Sequence, residues 1–102
     1  MAYQVDKYHV LVYGGPTGYK TNRAQIQLNE ASGKTRAWIR FNDPGMSFET
    51  DYESDGIIRM HLPTTMFAPL IDVLRNESGV YVYMAQGRAF LGTAKEPIGE
   101  GE

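Results

Sequence analysis

Four sets of residues in this 102-residue chain are of types that do chemistry. The first is GGPTGYKT, residues 14 to 21, where glycines, a lysine and a threonine follow an apolar run as they do in a phosphate-binding loop. Such a loop needs its lysine directly after the last glycine, with a helix N-terminus to follow. Here Tyr19 separates Gly18 from Lys20, and the next residues alternate Ala24, Ile26 and Leu28 with Gln25, Gln27 and Asn29. Period two is a strand, so the stretch reads as a connection.

The second set is DYESDG, residues 51 to 56, with acids spaced like the opening of a calcium loop. The twelfth position of that loop should be a bidentate glutamate; it is Leu62, and no helical pattern flanks the segment. A three-residue turn, Ser54-Asp55-Gly56, accounts for the same residues. It would place Tyr52, Thr50 and Phe48 opposite Ile58, Met60 and Leu62, with Asp51 facing Arg59 and Glu49 facing His61 on the exposed side. No metal site is expected.

The third set is the two histidines, His9 and His61. His61 reads as a surface histidine paired with Glu49, and nothing in the sequence sets a serine or carboxylate beside His9. No catalytic residue and no cofactor follow from these positions.

The fourth set carries the most information. In RAQIQLNEASGKTRAWIRF a two-residue Ser32-Gly33 turn puts Leu28 opposite Ala37, Ile26 opposite Ile39 and Ala24 opposite Phe41. The other side of this hairpin is polar: Asn29, Gln27 and Gln25 face Arg36, Trp38 and Arg40. In GVYVYMAQGRAFLGTA a Gln86-Gly87 turn pairs Val80, Val82 and Met84 with Thr93, Leu91 and Ala89, and sets Tyr83 opposite Phe90 and Tyr81 opposite Gly92. Trp38, Tyr81, Tyr83 and Phe90 would then share an exposed face, a larger apolar patch than a monomer ordinarily leaves in water. The expected function is a non-enzymatic interaction module that forms a homodimer through this face. The alternative is binding of single-stranded nucleic acid, with Trp38 stacking a base, Arg36 and Arg40 meeting phosphates, and Gln25 and Gln27 beside them. A third is a small-ligand site or enzyme whose residues assemble only in three dimensions.

The elements that position these residues are strands and one helix. The run YHVLVY is apolar on both faces and reads as a central strand. Phe67, Leu70, Ile71 and Leu74 recur at helical spacing, which predicts a helix near residues 65–77, capped by Thr64 or Thr65 and ended by Gly79. Pro69 fits only in its first turn. The expected fold is α+β: a twisted antiparallel sheet of six or seven strands, open or closed into a partial barrel, on that single helix.

Composition sets the bounds. With 42% apolar, 12% aromatic and 22% charged residues, the chain has the makings of one folded domain, expected over residues 1–95 with an acidic tail at 96–102. There is no cysteine, which excludes disulfides and thiolate metal sites. No export signal or long apolar run is seen, so no membrane partner and a cytoplasmic setting are expected. The net charge of −2 conceals a basic first part, +4 over residues 1–42, and an acidic remainder, −6. The basic part admits a local nucleic-acid patch; the acidic part disfavours it.

Overall fold

The computed structural model describes residues 2–94; the acidic tail expected at 96–102 lies outside them. The alternation around Ile26 forms strand β3 (Ala24–Asn29), antiparallel to β4 (Thr35–Asn42). Leu28, Ile26 and Ala24 lie opposite Ala37, Ile39 and Phe41, as the apolar pattern requires. The loop between them differs from expectation by one residue. Glu30 N–H donates to Lys34 O and Gly33 N–H to Glu30 O, both at 2.8 Å, which closes a three-residue loop with Gly33 at φ +99°. A β-bulge restores the register, because Asn29 pairs with Thr35 while Leu28 pairs with Ala37. Arg36 is the extra residue.

Strands β7 (Val80–Ala85) and β8 (Arg88–Thr93) form the last hairpin in the expected register, through a turn with Gln86 and Gly87 both left-handed. The middle hairpin corrects the sequence reading. Strand β5 covers only Tyr52–Ser54, and it pairs with β6 (Ile57–Pro63) so that Tyr52 faces Arg59 and Glu53 faces Ile58. The turn is the two-residue Asp55-Gly56, at φ +56° and +75°, the mirror-image type that matches strand twist. Asp51 therefore does not face Arg59.

Strands β1 (Tyr3–Val5) and β2 (Lys7–Val12) are one run of chain that changes sheets at Asp6. One sheet has the order β1-β7-β8 and the other β2-β3-β4-β6-β5. All neighbours are antiparallel except β4 and β6, which run parallel because β6 slots between β4 and β5. The expectation of a single antiparallel sheet is corrected on both points, while the α+β class holds. YHVLVY is corrected too, since among the described residues β2 is an edge strand with no neighbour beyond it.

Helix α1 (Phe67–Asn76) follows a 3₁₀ turn at Thr64–Met66, with Pro69 in its first turn. Neither threonine makes a side-chain cap. The two sheets and the helix bury one core. Ile26, Leu28, Ile39, Phe41 and Ile58 come from the larger sheet, Val5, Val80 and Val82 from the smaller, and Leu70 from the helix. Phe67 anchors the helix edge-on against Phe41, with ring centroids 5.1 Å apart. What remains outside this core is the far side of each sheet and the edges.

Candidate functional site

Across the outer side of the larger sheet the registers align a row of five residues: His9, Gln27, Trp38, Arg59 and Tyr52. A second row runs Leu11, Gln25, Arg40 and His61. Trp38 is half-buried, with the Arg40 guanidinium 5.2 Å and that of Arg59 4.7 Å from its ring. Arg59 also lies 5.2 Å from the Tyr52 ring, and it donates to Ser54 O and Ile57 O at 2.7 and 2.9 Å. It thereby clamps its own hairpin. Two guanidiniums already lie over the indole, so a nucleobase would compete with them for Trp38. Arg59 reaches Trp38 only through the parallel β4–β6 pairing, which no local sequence pattern marks.

Arg36 is turned elsewhere by the bulge. Its Nε donates to Glu30 Oε2 at 2.6 Å, and its guanidinium packs 4.2 Å from the ring of Tyr3 in the smaller sheet. In its place beside Gln27 stands Thr35, whose hydroxyl accepts from Gln27 Nε2 at 3.0 Å. Of the residues proposed to contact nucleic acid, Gln25, Gln27, Trp38 and Arg40 are brought together and Arg36 is not.

Tyr81, Tyr83 and Phe90 lie on the smaller sheet, on the side away from Val80 and Val82. Tyr83 and Phe90 stack, with centroids 5.0 Å apart and planes 4° from parallel. Trp38 and these three residues thus belong to two sheets that turn their inner sides to one core.

His61 is the main surprise in burial. Its side chain is 1% exposed, enclosed by the segment that carries Glu49 and Asp51. Asp51 Oδ1 accepts the His61 backbone N–H at 2.8 Å and lies 3.3 Å from Nδ1, while Glu49 Oε2 is 3.4 Å from Nε2. The Glu49 neighbour was legible from the sequence; the burial was not. The sequence assigned His61 to the surface because its register treated residues 48–52 as a paired strand, whereas residues 46–51 are not strand and fold over the imidazole.

Beside Arg40 the structure has a cleft of about 430 Å³ lined by Tyr13, Tyr19, Lys20, Thr21, Gln25 and Arg40, with Asn22, Ser47 and Glu49. One wall is Tyr19, Lys20 and Thr21, the end of the stretch GGPTGYKT, which is firmly built. Arg23 donates to Tyr13 O at 2.6 Å and Gly15 O at 2.9 Å while paired to Asp43 at 2.7 Å, and buried Asn42 donates to Thr21 O at 2.7 Å. Tyr19 and Asn22 exchange two backbone hydrogen bonds of 2.9 Å across Lys20 and Thr21. Both of those residues are left-handed, at φ +50° and +62°. For β-branched Thr21 that is an outlier with an energetic cost.

The last surface is the open edge of β2. Tyr8, Leu11 and Val12 are 39%, 42% and 65% exposed. Among the described residues, no three His, Asp or Glu side chains are grouped to hold a metal ion, and no helix is long and apolar enough to cross a membrane. Compared with protein-family models, curated proteins and solved structures, the chain matches none.

Proposed function

We propose that the chain is a non-enzymatic interaction module that pairs with a second copy of itself along β2. The observation that carries this reading is an apolar edge that is unguarded among the described residues. Natural edge strands are protected by inward charges, proline, bulges or a covering element. Strand β2 pairs with β3 over six residues without a bulge, contains no proline, and has a single lysine at one end. Self-association therefore rests on this edge and not on the aromatic residues, which the two sheets divide.

The edge is also complementary to itself. Tyr13 N–H, just past β2, donates to the O of Arg23, just before β3, and by the alternation of antiparallel ladders the peptide groups of Tyr8, Val10 and Val12 point outward. A second β2 laid antiparallel with Val10 opposite Val10 sets Tyr8 opposite Val12 on one side and His9 opposite Leu11 on the other. No like charges meet, and the two five-stranded sheets become one. An isologous contact of this kind closes a two-fold dimer.

The reading as a non-enzyme is supported by the enclosure of His61 and by His9, which makes no side-chain hydrogen bond or ion pair among the described residues. Light scattering at micromolar concentration tests the assembly. The expected result is a dimer that Val12→Lys converts to a monomer, since Val12 is exposed and its replacement leaves the core intact. A monomeric wild type would overturn the proposal.

A further inference from the structure

The geometry points to a second, independent site: the cleft between the Lys20–Thr21 turn and Arg40 binds a small molecule bearing a single carboxylate on an aromatic or apolar body. The argument begins with a contrast among the half-buried arginines. Arg23 has Asp43 and backbone carbonyls as partners, Arg36 has Glu30, and Arg59 has two backbone carbonyls. Arg40 alone differs. Its Nε is held by Gln25 Oε1 at 3.3 Å and its guanidinium rests over Trp38 at 5.2 Å, yet among the described residues its terminal nitrogens have no partner. A guanidinium fixed in orientation with its donor fork unengaged is a preorganised receptor for a carboxylate or phosphate.

The rest of the lining selects between them. Lys20 adds one positive charge and Glu49 one negative, so the charged lining with Arg40 is Lys20, Arg40 and Glu49, a net of one positive charge. That balance suits a monoanion and leaves a dianionic phosphate under-neutralised, with Glu49 repelling it. Tyr13 and Tyr19, their rings 5.3 Å apart, supply an aromatic wall for the body of the ligand. A volume of about 430 Å³ accommodates more than the carboxylate alone. The left-handed Lys20-Thr21 pair gives a reason for the shape of the wall. Strain at consecutive non-glycine residues, held in place by Asn42 at Thr21 O, is the kind that structures maintain where a loop must present particular side chains.

The test is an NMR titration of the ¹⁵N-labelled chain with benzoate, acetate and inorganic phosphate at matched ionic strength. Benzoate is expected to shift the Lys20, Thr21, Gln25 and Ser47 amides saturably, and acetate to bind more weakly. Arg40→Gln should weaken benzoate by roughly tenfold or more, the loss of one charge-assisted contact. Lys20→Gln should weaken it less, and Arg75→Gln, on the exposed end of α1, not at all. Non-saturable shifts with all three anions would overturn the site. Phosphate binding as tightly as benzoate would overturn the assigned class, and benzoate affinity unchanged in Arg40→Gln would overturn the role of the guanidinium.

Discussion

Asp51 and Ala89 join the two sheets: the Asp51 Oδ2 accepts the Ala89 backbone N–H of β8 at 3.0 Å, while Oδ1 of the same carboxylate accepts the His61 N–H of β6 at 2.8 Å. One side chain thus satisfies two backbone donors, one on edge strand β8 of the smaller sheet and one on β6 past the end of β5. Asp51→Ala removes both acceptors and leaves two largely enclosed N–H groups without partners, at about 1 to 3 kcal/mol for each such group. Chemical denaturation should show a loss of roughly 2 kcal/mol or more. Asp51→Asn keeps one carbonyl oxygen and should lose distinctly less. Equal losses would mean that packing, not acceptance, is the role of the side chain.

Gly18 and Gly14 stand four residues apart in the same loop and should respond oppositely to alanine. At Gly18 the backbone is left-handed, at φ +64°, and an added Cβ would lie 2.1 Å from Asn22 O, a backbone atom that cannot swing aside. At Gly14 nothing lies within 4 Å and the backbone carries no such restriction. Gly18→Ala should destabilise by roughly 2 kcal/mol or more, the left-handed cost of about 1 to 2 kcal/mol plus the overlap. Gly14→Ala should be neutral or slightly stabilising, through a less flexible unfolded chain. Thermal melts of the two variants decide it, and equal melting temperatures would show that the loop is not held as described.

What the sequence made legible was local. The β3–β4 and β7–β8 registers followed from alternation because the partners are neighbours in the chain and one side of each is buried, so a slip of one residue would have exposed Ile26 or Val82. The β5–β6 register was missed because apolar residues were matched with apolar residues. Phe48 and Tyr52 are 52% and 44% exposed, so their apolarity carried no information about the core. The same error placed β2 in the centre. Its two apolar sides reflect an open edge, and in strands either origin gives the same string of letters. The β4–β6 adjacency, which brings Arg59 to Trp38, and the change of sheet at Asp6 are long-range choices of topology that local period cannot express. The site at Arg40 was half legible. Its partners Gln25 and Trp38 were registered, but the lack of a carboxylate paired to Arg40 among the described residues depends on where Glu30 and Asp43 go.

Tyr3 offers a test through pH. Its hydroxyl donates to Glu53 Oε2 at 2.7 Å. That hydrogen bond, then burial and the negative charge of Glu53, raise the phenol above its ordinary 10.0, with the Arg36 guanidinium opposing. A raised folded-state value means that the stabilisation is fully present below 10.0 and disappears as pH rises through the higher folded value. The stability difference between wild type and Tyr3→Phe should therefore be constant from neutral pH to about 9 and shrink above 10, as a series of urea midpoints would show. A difference that stays constant into strong base would mean that the Glu53 contact does not form in solution.

The two-fold along β2 can be read from cross-linking, because the chain has no cysteine of its own and each introduced thiol reports alone. With Val10 opposite Val10, His9 faces Leu11 of the partner across a pair whose peptide groups point toward β3. Such non-hydrogen-bonded pairs hold their Cα atoms at about 4.5 Å, within the range a disulfide spans. Mixing His9→Cys with Leu11→Cys under mild oxidation should give the mixed disulfide in preference to either symmetric one. A slip of two residues would instead favour a symmetric product, His9→Cys with itself in one direction and Leu11→Cys with itself in the other. A slip of one residue would put the apolar row of one chain on the opposite side from that of its partner, which burial of Tyr8 and Val12 disfavours. Dimers that form none of these products would place the contact elsewhere, with the stacked Tyr83 and Phe90 of the smaller sheet as the next surface to truncate.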